Sequence, residues 1–425
     1  MIKQDFQKKS CKRGRGGWLK EELLKICQDL KIKLTSKDKL SKESICIKIN
    51  DYFNNINDIK SNPSSIPTSN SINLPYDIYY LLVKQVDSVE DLSKFCSQSK
   101  YFLNFCKANT YTIAKHFLTK YQVDYTDPTN FIYVYNKQDI NNYKSNDGSW
   151  KLGSIFRLYM RAYDLKEIVC AGLGITSFPV YPNMIHFVGS DNRLTDFSTQ
   201  PEMINFYGYN NKLTSFSIQP KMIQFYGPNN RLRDFPVQPN MKEFLGDNNR
   251  LTIFPEQPKM EIFSGNNNRL TIFPTQPKMI EFRGEGNRLT DFPVQPEMIY
   301  FEGTGNHLTI FPEQPKMVHF RGNNNRLRDF PTQPKMTRFY GTDNLLRDFP
   351  TQPKMIEFRG NDNHLTMFSE QPEMKYFYGS FNQLTSFPVQ PKMTHFYGMG
   401  NLLTSIPRQP EMVVCRADRG VCPIN

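Results

Sequence analysis

From Met184 to Met412 a methionine recurs every 19 residues, thirteen times without a slip, and three residues after each stands Phe, replaced only at the last by Cys415. A period that short and strict constrains the chain to a solenoid, because one unit cannot bury its apolar side chains alone and must lean on copies of itself. The unit reads M-x-x-F-x-G-x-x-N-x-L-T-x-F-P-x-Q-P-x, and twelve such units fill residues 184–411. Residues 165–183 form a worn copy that keeps Ile168, Ile175, Phe178, Pro179 and Pro182, and Met412 opens a unit that stops at Asn425. Worn copies suit the ends of a stack, where a coil must face water.

Each position in the unit has a physical role. A short strand around Phe282 is expected to pair in parallel with its copies, with the Asn row from Asn192 to Asn401 satisfying backbone groups where each coil turns inward. The segment F-P-x-Q-P, as in residues 292–296, has prolines three apart, which excludes a helix and favours an extended, polyproline-like outer side. The Gly at position 6 makes room for a core that already holds two Phe and a Met per coil. Thirteen strands stacked at about 4.8 Å give a sheet roughly 60 Å long with gentle curvature.

Positions 1, 4, 9 and 11 fall on the leucine-rich-repeat template, with Met and Phe for the first two leucines, then Asn, then Leu. The chain therefore resembles a leucine-rich repeat, and the tail N-x-L-T-x-F-P-x-x-P is most similar to the short repeats of bacterial effector proteins. Gly for the leucine expected at position 6, and a period just under the usual range, depart from that pattern. The expected fold is a leucine-rich-repeat solenoid of parallel β-sheet with an extended outer side, preceded by a small α-helical region.

Function belongs where the unit varies. On a strand the side chains flanking the buried Phe point out of the inner face, so positions 3, 5 and 7 are the candidates. Tyr and Arg carry much of the energy of protein interfaces. On that ground Tyr376, Tyr378, Phe381, Tyr397 and Met399 form one candidate anchor patch and Arg283, Arg321, Arg338 and Arg359 another, with Tyr207, Tyr226, Glu302 and Tyr340 completing the target-binding face. The bland alternative is that exposed Tyr simply suits a strand surface. Position 10 carries a row of bases, Arg193, Lys212, Arg231, Arg250, Arg269, Arg288 and Arg326. Such a row could track a phosphate backbone, or pair with Asp196, Asp234, Asp291 and Asp329 three residues later.

The net charge of +12 is concentrated at one end, since residues 1–20 hold seven Lys or Arg against one Asp. That tail reads as a nuclear address, a nucleic-acid contact or a solvated arm. No apolar stretch has the length of a membrane span and no signal-peptide core follows the basic start, so an intracellular protein is expected, cytoplasmic or nuclear, in a host cell if viral. The eight cysteines form no C-x-x-C and read as reduced thiols. The six histidines are scattered, and no phosphate-binding glycine loop or nucleophile elbow occurs. No catalytic, metal or cofactor site is expected.

The N-terminal third divides by composition. Residues 1–17 are the basic tail. Residues 18–53 read as a helical hairpin, with Leu19, Leu23, Ile26, Cys27 and Leu30 on one face, similar in outline to the SAP module of DNA-binding proteins but lacking its connecting glycine. Residues 54–73 are an Asn, Ser and Pro rich linker. Residues 74–107 read as short packed helices and resemble an F-box, through Leu74-Pro75, Asp77-Ile78, Leu81-Leu82, Asp91-Leu92, Ser99-Lys100 and Phe102. Lys84-Gln85 interrupts the second apolar stretch, and Phe102 replaces the usual tryptophan. The resemblance implies that Leu74, Pro75, Ile78, Leu81, Leu82 and Leu92 dock the adaptor subunit of a cullin-RING ubiquitin ligase while the repeats hold a substrate. Residues 108–164 read as an aromatic connector that closes the first coil of the solenoid at residues 165–425.

The combination resembles F-box and leucine-rich-repeat proteins of amoebae and their large DNA viruses. It implies a non-enzymatic recruiting subunit with two partners, a ligase adaptor and a target protein. The rival readings are a repeat scaffold without a ligase link, a nucleic-acid-associated protein using the tail and the Arg row, and a catalytic ligase of the bacterial-effector kind, for which Cys415 and Cys422 would be the only cysteines after the repeats.

Overall fold

In the computed structural model, residues 86, 89–97, 100–135 and 140–423 are described. The tail, the hairpin, the linker and Leu74, Pro75, Ile78, Leu81 and Leu82 lie outside them. The described residues form two compact units, one made of those up to Lys120 plus Tyr143–Met160, the other of those in 121–142 and from Arg161 onward. The stretch 108–164, read from sequence as a single connector, is thus divided between the units.

In the first unit α1 (Val89–Ser97), α2 (Lys100–Ala108) and α3 (Thr110–Lys120) follow one another. Leu92 and Phe95 of α1 and Phe102 and Phe105 of α2 are buried, with Phe95 and Phe102 edge to face at 4.5 Å. The helices bring Cys96 and Cys106 together as a disulfide, and Cys415 and Cys422 form a second. This corrects the reading of all cysteines as reduced thiols. Spacing along the chain could not show that two packed helices, or a tail folded back on the last coil, align these pairs. Only Cys170 is free among the described residues.

The second unit begins at Tyr121 and holds α4 (Thr129–Tyr135); after α5 (Leu152–Ala162), most of which belongs to the first unit, it resumes at Arg161 and continues as a 14-stranded parallel sheet. Its strands run in sequence order from β1 (Glu167–Val169) and β2 (His186–Val188) to β14 (Val414–Arg416), each three residues long. Fourteen strands replace the expected thirteen because the worn copy contributes β1. Register places Phe on Phe, as in Phe282 beside Phe301 and Phe301 beside Phe320. Met298, Phe301 and Leu308 are completely buried and Phe311 almost so, a pattern repeated in the neighbouring coils. The two Phe of each coil build interlocked ladders. Phe282 and Phe301 stack at 5.4 Å, while Phe292 and Phe301 meet edge to face at 4.9 Å. Full burial of one such ring stabilises by about 1.5–3 kcal/mol, and a well-oriented ring pair adds roughly 0.5–1.5 kcal/mol.

The position-6 glycine is dictated by this core. A Cβ on Gly284 would stand 2.3 Å from Cζ of Phe282, and the same conflict recurs in the other coils. Two polar ladders tie the backbone. Asn306 accepts from the Leu289 amide at 3.0 Å and donates to the carbonyls of Gly284 and Gly303 at 2.8 and 3.1 Å. The Gln of F-P-x-Q-P, to which the sequence alone assigned no role, is as buried as the Phe. Gln295 accepts from the Gln276 amide at 2.7 Å and donates to the Pro274 carbonyl at 3.1 Å, and so bridges extended outer segments that have no ladder of their own. Each buried amide is satisfied on both sides, which is what burial of so polar a group requires.

The ends are closed within the second unit. Val180 donates to the Tyr121 carbonyl at 2.8 Å, Asn130 donates to Thr176 at 2.8 Å, and Ser198 donates to Gln122. At the other end Ile406 donates to the Val421 carbonyl at 3.2 Å and Gly400 to the Asp418 carboxylate at 2.9 Å.

Candidate functional site

Because position 4 is buried on every full repeat's strand, positions 3 and 5 line the solvent face of the sheet. The charges there are segregated. From Glu243 to Glu302 the face carries Glu243, Glu281 and Glu302 against Arg283, whereas from His319 onward it carries Arg321, Arg338, Arg359 and Arg416 against Glu357.

The expected anchors fall into three groups. Tyr207 and Tyr226 lie 6.1 Å apart on neighbouring strands near the start of the sheet, with Tyr209 edge-on to Tyr226 at 6.0 Å. In the middle Arg283 pairs with Glu281 and lies 5.8 Å from the Tyr300 ring, while Glu302 accepts from the Tyr300 hydroxyl at 3.0 Å and pairs with Arg321 at 3.1 Å. Burial and then the Glu302 charge push the Tyr300 phenol above its ordinary value.

The third group is the most continuous. The Arg359 guanidinium lies between the rings of Tyr340 and Tyr378, at 5.1 and 4.7 Å; Tyr378 stacks on Tyr397 at 4.7 Å with planes 7° apart, and Arg416 covers Tyr397 at 5.5 Å. Five consecutive strands thus carry one ladder of π faces and guanidinium planes. Glu357 organises it from position 3, accepting from the Tyr340 hydroxyl at 3.0 Å and pairing with Arg359 at 2.6 Å and Arg338 at 3.9 Å. Burial works against the Arg359 cation, but the Glu357 hydrogen bond and charge hold its pKa above the usual value. Tyr340 is raised by burial first and by Glu357 second. Beside the ladder Tyr376 and His395 lie 5.1 Å apart.

Phe381 and Met399 stand at the rim, 62% and 50% exposed. Phe381 occupies position 8, where the chain turns out of the strand with positive φ. Asn, Asp or Gly fills that position in the coils from Asp191 to Asp362, and Gly again at 400, whereas Phe381 sits there at φ 58°. A large apolar residue in the left-handed region is strained by about 1–3 kcal/mol. Gly400 makes room for it, since a Cβ there would meet the Phe381 ring at 2.7 Å.

Glu357 was legible as an outward position-3 residue but its organising role was not, and sequence reading did not single out Arg416 or the position-7 asparagines as site residues. Register is what joins them to their neighbours. The position-10 bases are exposed, and among the described residues no ion pair joins them to the position-13 aspartates, which corrects the pairing expected for that row. The cross-coil pairs found include Lys221 with Glu202, Lys242 with Glu261 and Lys392 with Glu373. Leu92, expected to dock an adaptor, is buried among the helices of the first unit. Among the described residues no group of three or more His, Cys, Asp or Glu gathers as metal ligands, and no helix is long and apolar enough to cross a membrane.

No family model and no curated protein matches the sequence. Solved structures do. The leucine-rich effector YopM of Yersinia pestis matches with TM-score 0.49 and 18% identity over 70% of this chain and 92% of that one. A leucine-rich-repeat protein of Leptospira interrogans matches with TM-score 0.44 and 14% identity over 61% and 86%. The leucine-rich-repeat domain of APL1B matches with TM-score 0.49 and 15% identity over 60% and 87%.

Proposed function

We propose that this chain is a non-enzymatic scaffold that holds a target protein on the solvent face of its sheet, chiefly on the last third. The observation that carries this reading is the ladder Tyr340, Arg359, Tyr378, Tyr397 and Arg416, pre-ordered by Glu357 and flanked by exposed Phe381 and Met399. Aromatic and guanidinium groups already fixed by packing lose little rotamer freedom on binding, so more of their contact energy appears as affinity. Within this reading residues 74–107 dock the adaptor of a cullin-RING ligase, a role supported by the F-box resemblance of Leu74, Pro75, Ile78, Leu81 and Leu82. Leu92, being buried, serves the helical fold instead.

Affinity capture from cell extract tests both halves. Intact chain is compared with one variant carrying Tyr378→Ala and Tyr397→Ala and another with Leu74, Pro75 and Ile78 changed to Ala, after circular dichroism shows all three alike. Loss of a captured protein with the first variant is expected. Adaptor and cullin should vanish with the second; if the intact chain never retains them, the ligase role is discarded and the scaffold role stays. Identical captures by intact chain and the first variant would refute the scaffold role on this face.

A further inference from the structure

Next to the ladder the sheet carries an open hollow of about 520 Å³, lined by Arg321, Tyr340, Arg359 and Tyr378 and, at its edge, by Asn323 and Asn361. The two asparagines are fixed in orientation. The side-chain oxygen of Asn323 accepts from the Thr342 amide at 2.9 Å, and that of Asn361 from the Ser380 amide at 2.9 Å. With each oxygen anchored to backbone, the orientation of the amide is set and its NH2 is left to donate. Glu357 engages Nε and Nη2 of Arg359, and a guanidinium has five N–H donors, so donors remain there too. Acidic side chains are absent from the lining, although Glu357 contacts Tyr340 and Arg359 and Glu302 pairs with Arg321 beside it. Asn324 and Thr342 complete the lining, and with the two tyrosine hydroxyls they supply only neutral oxygens as acceptors, so two guanidinium groups and two oriented amides face the hollow without a carboxylate among them, an arrangement that suits a carboxylate.

Resting on the scaffold reading, we infer that this hollow receives an acidic side chain of an extended segment of the partner protein, with a neighbouring apolar side chain seated on Phe381 and Met399. Two observations favour a peptide over a nucleic acid. Arg321 and Arg359 each have a glutamate beside them, so the hollow presents one compact cluster of donors, which a single carboxylate can fill, and not the continuous track of uncompensated cations that a phosphate backbone needs. The rim residue Phe381 holds a strained backbone and an exposed apolar ring where the neighbouring coils use Asp362 and Gly400, a cost that a contact with an apolar side chain would offset.

The test is selection of a displayed random library of roughly twelve-residue peptides on the full-length protein, with Arg359→Gln and Phe381→Asn run in parallel. Selected sequences should be enriched in Asp or Glu beside a large apolar residue. A selected peptide should bind about tenfold more weakly to each variant, and about tenfold more weakly when its acids are replaced by amides. Because Asn suits positive φ, Phe381→Asn should raise the melting temperature while it weakens binding, which separates lost contact from lost fold. Selected peptides without acidic enrichment, or peptides indifferent to both substitutions, overturn the inference. So does a single-stranded oligonucleotide that binds more tightly than the peptides and is lost with Arg359→Gln. If capture from extract depends on Tyr378 and Tyr397 but the acidic enrichment is missing, the scaffold stands and only the acidic partner falls.

Discussion

Replacing Gly303 by Ala adds one methyl group and should unsettle the core around it. The added Cβ would stand 2.5 Å from Cζ and 2.8 Å from Cε1 of Phe301. Carbon atoms pack at about 3.5–4.0 Å, so the ring must yield by roughly 1 Å. It has little room to do so, being stacked on Phe282 at 5.4 Å and Phe320 at 5.3 Å and held edge-on by Phe292 at 4.9 Å and Phe311 at 4.7 Å. Overpacking of this kind costs about 1–3 kcal/mol. Gly303 does not have positive φ, so alanine's smaller unfolded-state entropy returns about 0.4–1 kcal/mol, leaving a net loss between about 0 and 2.6 kcal/mol, with a midpoint of about 1.3 kcal/mol. The partner substitution Phe301→Leu removes the clashing Cζ at its own packing cost. The double variant should therefore be less destabilised than the sum of the singles, by about 1 kcal/mol or more. Urea unfolding followed by far-ultraviolet circular dichroism, compared at constant m, measures all three. Strict additivity in the double variant would show that the glycine is not a response to the ring.

Gln295→Leu removes the acceptor of the Gln276 amide and the donor to the Pro274 carbonyl, so a loss of roughly 2–4 kcal/mol is expected in the same assay; a loss no larger than that of exposed Glu256→Ala would sink the outer-ladder argument. Burial pushes the Cys170 thiol up to about 12 from 9.0, so native protein should resist iodoacetamide at mildly alkaline pH and react once denatured. Since its folded pKa lies above the unfolded one, its stabilising contribution is whole below about pH 9 and fades as pH rises through about 12; native-state labelling at the rate of an exposed thiol contradicts this. His319 is lowered from 6.5 by burial and then by the Arg338 charge, so its contribution is whole above pH 6.5 and is lost as pH falls through its lower folded value. Arg338→Ala should move that titration upward in an NMR experiment, and an unmoved imidazole would exclude the Arg338 influence.

The solenoid was legible because every coil repeats the same local requirements. Met, Phe and Leu spacing marked the core, the prolines forbade an outer helix, and the Asn row and the room-making Gly could each be assigned from chemistry alone. The candidate face was legible only as residue types at positions 3, 5 and 7. What those residues do together was decided by register, which sets Arg359 between two tyrosines from other coils, brings Glu357 under both Tyr340 and Arg359, and turns Asn323 and Asn361 into fixed donors. The buried Gln ladder and the two disulfides were hidden for the same reason, since their partners lie in another coil, another helix or a folded-back tail. Periodicity along a chain fixes what each coil must bury, but only the stacking of coils brings residues 19 positions apart to within hydrogen-bonding distance, and there the binding chemistry arises.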